Sequence, residues 1–387
     1  MENELRLRIL ESITDVPREG WNALEGAQSV PFTRWEWLEA MESSGSAVPQ
    51  RGWRPAHLTV WRGSRLVGAS PAWLKSHSLG EYVYDFGWAH AAEQLGIPYY
   101  PKLLVGVPLS PITSPRFLHA PGESASEIRT ALAKAAVELA QEMGCSSVHV
   151  IFPPEEDALA LEQELGFIRR TGMQYHWRNP GYRGYDDFLS RFTAKRRHQL
   201  RRERMAAGEQ GIRIHTVRGA ELGPEHAERA WQFYEETNTK NPWGRVQLTR
   251  RFFLRVFETM SEHIEVVEAE RAGEVVAGAF NLATPERLFG RYWGCTEEHP
   301  FLHFHVCMYH SIDESIRLGR KVFEPGAGGE HKIARGFEPT AIHSVHVLFD
   351  RRMEGAVRQF VESERAELEA VFATSAEISG MRPWAPR

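Results

Sequence analysis

The chain has few cysteines, no long apolar run and no large excess of charge of either sign. Cysteine occurs three times in 387 residues, at Cys145, Cys295 and Cys307, with no Cys-x-x-Cys pair. That odd, scattered set supplies neither a disulfide framework nor a zinc framework, and it suits a reducing compartment. No stretch approaches the roughly eighteen consecutive apolar residues of a membrane-spanning helix. The start, MENELRLRILESITDVPREG, is charged throughout and lacks the apolar core and small-residue cleavage site of a secretory signal. The cytoplasm is therefore the expected location. The formal net charge of −5 argues against a surface coated with positive charge for bulk nucleic-acid binding, though it leaves room for a local basic patch.

At roughly 150 residues per domain, the length implies two or three domains. With 42% hydrophobic residues, such a chain buries cores without help from metals or disulfides. Residues 6–13 alternate as a strand, and 33–45 have helical spacing. Residues 56–75 read as a hairpin turning at Arg62-Gly63-Ser64. The run 101–113 is β-rich. Residues 126–144 form an amphipathic helix with Ser126 as N-cap and Gly144 as its stop, and 146–152 a strand. The second half repeats this plan, with a helix over 185–211, a strand at 212–219 and helices at 223–240 and 248–260. Three antiparallel strands follow over 264–295, joined at Ala272-Gly273 and Thr284-Pro285. A helix at 303–319, a strand at 344–350 and a closing helix complete it. The repeated order predicts an α/β protein of mixed (α+β) sheets flanked by helices, with domains 1–180 and 181–387 meeting near Asn179-Pro180-Gly181.

Four clusters hold chemistry. FEPGAGGEHKIARGF (323–337) is the densest: Gly328 and Gly329 permit close backbone approach, and Glu330, His331, Lys332 and Arg335 crowd behind them. The set offers a general base and a charge clamp, or a glycine turn with surface charges. Lys195, Arg196, Arg197, Arg201 and Arg204 lie on one helix, with 197, 201 and 204 at i, i+4, i+7. They read either as phosphate contacts or as a solvated face paired with acids. Glu81, Tyr84 and Asp85 sit in an aromatic-acidic stretch that fits an acceptor-amine pocket or a capped aromatic core. Arg291 and Trp293 in GRYWGC share a strand face, with Tyr292 on the other. His303, His305 and His310 have poor spacing for a metal, so none is expected. No nucleophilic Ser or Cys motif stands out, which favours direct attack over an acyl-enzyme.

Several long phrases carry a family resemblance: LVGASPAWLKSHSLGEYVYDFGWAHA, YYPKLLVGVPLSPITSPRFL, YHWRNPGYRGYDDFLSRFTAKRRHQLRRER, GRYWGC, LHFH and FEPGAGGEHKIARGFEPT. Together they resemble the FemAB-like branch of the GNAT (N-acetyltransferase) superfamily, the peptidoglycan biosynthesis or recognition proteins. The resemblance implies two tandem GNAT-like domains and an acyltransferase that forms an amide on an amine. It further implies aminoacyl transfer from charged tRNA to a small amine or peptide, with no bound cofactor. An acyl-CoA or acyl-carrier thioester enzyme and a non-catalytic module recognising cell-wall precursors remain the alternatives. The Arg/Gln-x-x-Gly-x-Gly/Ala loop that holds the CoA pyrophosphate at a helix start is missing; CTEEHPFLHF stands in its place. Aminoacyl-transferring relatives also place a Lys three residues before a Phe, whereas here Ala334 precedes Phe337 at that distance. In the aminoacyl-transfer reading Glu330 or His331 is the base, Lys332 and Arg335 are the clamps, and the arginine-rich helix meets tRNA.

Overall fold

The structure, a computed structural model, describes residues 4–241, 244–379 and 381–382. Among these lie fifteen strands. They are β1 (Leu5–Leu10), β2 (Trp53–Pro55), β3 (His57–Arg62), β4 (Arg65–Ser70), β5 (Ala72–Lys75), β6 (Lys102–Val105), β7 (Leu118–His119) and β8 (Ser147–Ile151). There follow β9 (Ile168–Arg178), β10 (Ile212–Arg218), β11 (Ile264–Arg271), β12 (Glu274–Ala283), β13 (Arg287–Cys295), β14 (Val322–Glu324) and β15 (Glu338–Leu348).

The chain forms two compact units, Met1–Met173 with Ala341–Glu369, and Gln174–Thr340 with Ala370–Arg387. These bounds differ from consecutive halves divided at 180/181. The chain leaves the first unit within β9 and returns to it within β15. The return is built by pairing: Ser344 to Leu348 run antiparallel to Ile151 to Ser147 of β8. The helix that follows β15 then packs Met353, Val357 and Val361 against Trp88, Tyr99 and Leu348.

In the first unit β1-β3-β4-β7 form one sheet and β15-β8-β6-β5-β2 lie side by side in another. The expected hairpin is β3–β4, turning through Gly63 at φ 61°. Of the β-rich run 101–113, the strand is Lys102–Val105. The helix Ala125–Glu142 is capped two residues earlier than expected, because the Ser124 side chain, rather than that of Ser126, accepts from the Glu127 N–H.

In the second unit the order is β10-β11-β12-β13-β14-β9. Strands β11 to β13 form the three antiparallel strands expected over 264–295, with Ala272 and Gly273 both at positive φ in their first turn, and β10 pairs antiparallel with β11. The helix expected over 185–211 is two, Tyr185–Ser190 and Ala194–Glu209, because Thr193 caps the second by accepting from Arg196 N–H. The helix after β13 carries a π-turn at His305–Tyr309 before continuing to Arg317. Gly278 and Gly294 are register partners on β12 and β13, and both face Phe233 of the helix Pro224–Lys240. A Cβ on Gly294 would stand 2.3 Å from the Phe233 carbonyl oxygen, so the helix rests directly on strand backbone.

Candidate functional site

Strands β13 and β14 are parallel and paired from Arg287–Val322 to Phe289–Glu324. Beyond that they part, at Gly290 and Pro325, where Gly290 has no room for a side chain: a Cβ would sit 3.2 Å from Pro325 Cα. A crevice at the carboxyl ends of parallel strands is where open α/β sheets take ligands. Here it is a cavity of about 340 Å³. Its walls come from Gly290–Trp293, from the loop Pro325–Gly329 with His331 and Lys332, from the helix Pro224–Lys240 through Tyr234, Thr237 and Asn238, and from His303, Cys307 and Met308.

The strand side of the cleft is shaped by a bulge. Opposite β12, Phe280 pairs with Tyr292 but Asn281 pairs with Gly290, leaving Arg291 as the additional residue. That breaks the simple alternation, and Arg291, Tyr292 and Trp293 all reach the cavity wall. The loop side depends on glycine: Gly326, Gly328 and Gly329 have φ of 86°, 70° and 90°. A Cβ at Gly328 would meet nothing within 4 Å, so only backbone conformation requires glycine there. Gly328→Val is therefore expected to lower ligand affinity at least tenfold, to order of magnitude, because a β-branched residue resists φ > 0 and re-shapes the loop. Its Tm is expected to fall by a few degrees, about what 1–2 kcal/mol of left-handed strain produces. Ligand titration and a thermal melt on the same sample check both; global unfolding would mark the turn as merely structural.

Lys332 is buried, 5% exposed, on the short 3-10 turn Glu330–Arg335. Its Nζ donates to the Gly326 carbonyl at 2.8 Å, with the Pro325 and Ala327 carbonyls at 3.4 and 3.5 Å. Burial pushes its ammonium down to about 8. His303 packs against Trp293 with the ring planes tilted by 56° and centroids 4.9 Å apart, and burial aided by the neighbouring cationic groups pushes it down to about 4. It is thus neutral at pH 7. His331, whose value burial and Arg335 also lower, lies 6.3 Å from His303 ring to ring. Among the described residues no carboxylate lines the cavity. Asn281, 3% exposed, reaches it from β12, and its Nδ2 has no hydrogen-bond partner among the described residues. In the sequence, Asn281 is the lone amide in the apolar run GAFNLA.

Gly328, Gly329, His331, Lys332, Arg291 and Trp293 thus meet at one cleft. Glu330 is exposed and is not part of its lining. Arg335 is no substrate clamp: it is buried, pairs with Glu203 at 2.8 Å, donates to the Tyr309 hydroxyl at 2.8 Å, and lies 3.4 Å over the Phe304 ring. Of the arginine stripe, Arg201 pairs with Asp186, Arg204 pairs with Asp313 beside the Tyr185 ring, and Arg197 donates to the Phe192 carbonyl. Arg196 bonds Gln199 at 3.0 Å. Lys195 is exposed and on a stripe with Arg202, seven residues on, also exposed. His310 bonds Thr216 at 2.8 Å, and among the described residues no group of three or more His, Cys, Asp or Glu is placed to hold a metal.

In the first unit, Glu81 and Asp85 form no acceptor pocket. Both are buried against Lys102, whose ammonium donates to Glu81 at 2.8 Å, to Asp85, and to Ser78 at 2.8 Å. Burial raises Glu81 to about 7, while Lys102 holds Asp85 down to about 2 against its burial. Tyr84 is 65% exposed and borders a separate cavity in that unit. The parallel pair β6–β8 there parts at Gly106 as β13–β14 do at Gly290. The end of β8 is closed by fully buried Arg116, which donates to the Ile151 and Ile112 carbonyls at 2.7 and 2.8 Å.

Two α/β units, one opening a basic cleft where parallel strands part, define a mixed-sheet protein built for a ligand that reaches strand ends. The chain belongs to the FemAB-like family, described as peptidoglycan biosynthesis/recognition, whose model matches residues 12–383. This membership agrees with the acyltransferase class expected from the sequence. Among solved structures it is similar to FemX, at 12% identity over 89% of this chain and 98% of that one, with a TM-score of 0.54. It is also similar to a tandem GNAT protein from the clavulanic acid biosynthesis pathway, at 15% identity over 89% and 98% of the two chains, TM-score 0.45. A third is L-PGS from Bacillus licheniformis, at 11% identity over 80% and 89%, TM-score 0.46. The FemX likeness bears on fold alone, and the other two are too distant to carry an argument. No curated protein matches the sequence. Among the described residues no helix is long and apolar enough to cross a membrane.

Proposed function

We propose that this protein forms an amide on an amine of a peptidoglycan precursor, using an aminoacyl group carried by tRNA. The observation that carries the reading is the Asn281 amide, whose Nδ2 has no partner among the described residues, in a cleft that also holds Lys332 and Arg291 and, among those residues, no carboxylate. When an amine attacks an ester carbonyl, charge develops on oxygen, and preorganised donors in a dry site stabilise it. Asn281 and Lys332 are the oxyanion donors in this reading. His331, or neutral His303, accepts the proton lost by the attacking amine. Charged tRNA is favoured over CoA because the segment between β13 and its helix carries Glu297 and Glu298, lacks glycine, and enters the helix through Phe301 at φ 64°. It offers no pyrophosphate cradle. No bound cofactor is needed for this chemistry.

The test supplies charged tRNA, acetyl-CoA and acyl carrier protein in parallel, with a peptidoglycan-precursor amine, and looks for amide product. Product from tRNA alone is expected. Product from a thioester alone overturns the donor, and product from none turns the reading to a recognition module. Salt adds a second measurement. With Arg201 and Arg204 committed to acids, Lys195 and Arg202 are the residues of this helix that meet phosphate. Two contacts give a log–log salt slope for tRNA affinity of about −1.4 to −1.8 from these positions. The double change Lys195→Gln, Arg202→Gln is expected to flatten the slope by that amount and to leave Tm unchanged. An unaltered slope would mark this helix as a solvated face.

A further inference from the structure

We propose that the first unit carries a second reactive site, in which Ser344 is an activated hydroxyl that accepts an acyl group from a small activated ester or thioester. Ser344 borders a cavity of about 220 Å³ whose other walls include Tyr84, Arg170, Met173, Ile342 and Leu368. His343 and Glu364, the latter ion-paired with Arg170 at 2.6 Å, also line it, and the space between these and the apolar side chains suits a short acyl group. Behind the hydroxyl runs an unbroken chain. Ser344 Oγ lies 2.8 Å from His346 Nε2, His346 Nδ1 lies 2.7 Å from His149 Nδ1, and His149 Nε2 lies 2.8 Å from Ser147 Oγ. The two imidazoles are cross-strand partners on β15 and β8, which fixes their contact. All four residues are 3% exposed or less.

Proton counting assigns the roles. One hydrogen can lie between the two Nδ1 atoms of a neutral pair. If Ser344 donates to His346 Nε2, then His346 Nδ1–H donates to His149 Nδ1, and His149 Nε2–H donates to Ser147. A nucleophile, a base at hydrogen-bond distance and a third group orienting that base make the arrangement that activates a hydroxyl. Burial holds His149 down to about 3 and His346 far below its ordinary value, so both rest neutral and His346 is free to accept. Lys102 and Arg170 also face this pair and favour the neutral form, whereas Asp85 faces His149 and favours the cation. In the step, Ser344 Oγ bonds to the carbonyl carbon and its proton passes to His346 Nε2. The Nδ1 proton of His346 moves to His149, bringing the positive charge towards Asp85. As the C–O or C–S bond of the donor breaks, the proton returns along the same path to the departing alkoxide or thiolate. Atoms and charge balance, with the acyl group left on Ser344.

The full chain is incubated with p-nitrophenyl acetate and, separately, with a fluorophosphonate, and the modified peptide is mapped by mass spectrometry. The expected result is an adduct on Ser344, absent in Ser344→Ala and formed about 10²-fold more slowly in His346→Gln, as for loss of a general base. No adduct on Ser344 with either probe overturns the proposal, as does an adduct that forms at the wild-type rate in His346→Gln. Should His346→Gln fail to fold, Ser344→Cys decides. A thiol paired with His346 is expected to react with iodoacetamide at least about tenfold faster than Cys145 of the same chain, whose thiol burial pushes up to about 11. Equal rates overturn the proposal. The adduct is located by its peptide, and Ser344 is not part of the cleft between β13 and β14, so the result is independent of the function proposed for that cleft.

Discussion

Lys332→Met is expected to lower turnover by about 10² to 10³, the effect of removing one oxyanion donor, while leaving the melting temperature level or higher. The two halves of that result follow from one fact. Burial lowers the Lys332 ammonium from the ordinary lysine range to about 8. A lysine whose folded value lies below its unfolded one burdens folding at neutral pH, and the burden lifts as pH rises from about 8 towards 10.5. Methionine keeps the length and bulk of the stem and removes the buried charge. If Lys332 served only to tie the Pro325–Ala327 loop, stability would fall along with turnover. Wild-type turnover that needs the ammonium is expected to decline above about pH 8, and this limb should vanish in the variant. Steady-state kinetics across pH and a thermal melt check both signs. Unchanged turnover would leave Asn281 as the donor.

Glu203→Ala is expected to cost about 3–5 kcal/mol, the range for removing one member of a buried ion pair. The carboxylate is 2% exposed, bonds Arg335 at 2.8 Å, and accepts from the Tyr309 hydroxyl and from Gln199 at 2.8 Å. Without it, the guanidinium stays pinned over Phe304 with its charge uncompensated. Burial alone would raise Glu203, but its hydrogen bonds and Arg335 outweigh that and hold it below the ordinary carboxylate range. A lowered carboxylate adds stability above its unfolded value and loses it as pH falls through the folded one. Urea unfolding at pH 7 and in mild acid should therefore show the wild type losing part of its advantage over the variant on the acid side. A loss below 1 kcal/mol, to order of magnitude, would mean the pair is solvent-screened.

The meander β11–β13 is legible because its strands are rich in β-branched and aromatic residues and its first turn is marked by Ala272-Gly273. The glycine cluster and Lys332 are legible as a candidate site because few structural needs put three glycines beside that many charges. Less visible was what depends on distant partners. Arg335 looked like a ligand clamp because Glu203 lies 132 residues away. Glu81 and Asp85 looked like a pocket because their counter-charge, Lys102, hides in the apolar run PKLLVG. The helix Phe86–Gln94 is hidden in the sequence, since its aromatic start reads as part of the aromatic-acidic stretch before it. Asn281 stands out in sequence only as a lone amide in an apolar run, and its meaning depends on its donor having no partner among the described residues. The bulge at Arg291 depends on register against β12, which alternation in β13 alone does not reveal.

The facing glycines Gly278 and Gly294 give the cleft a fixed aperture. The helix Pro224–Lys240 supplies one jaw through Tyr234, Thr237 and Asn238, and β13 supplies the other. Because Phe233 sits on bare strand backbone at these two glycines, the jaw separation is set by atoms beneath the cleft floor and not by the residues lining it. Changing a lining side chain alters what the cleft holds, whereas a single methyl at position 294 would lift a whole jaw. Substrate size and substrate chemistry are thereby controlled at different places in the chain and are separately adjustable, by selection or by design.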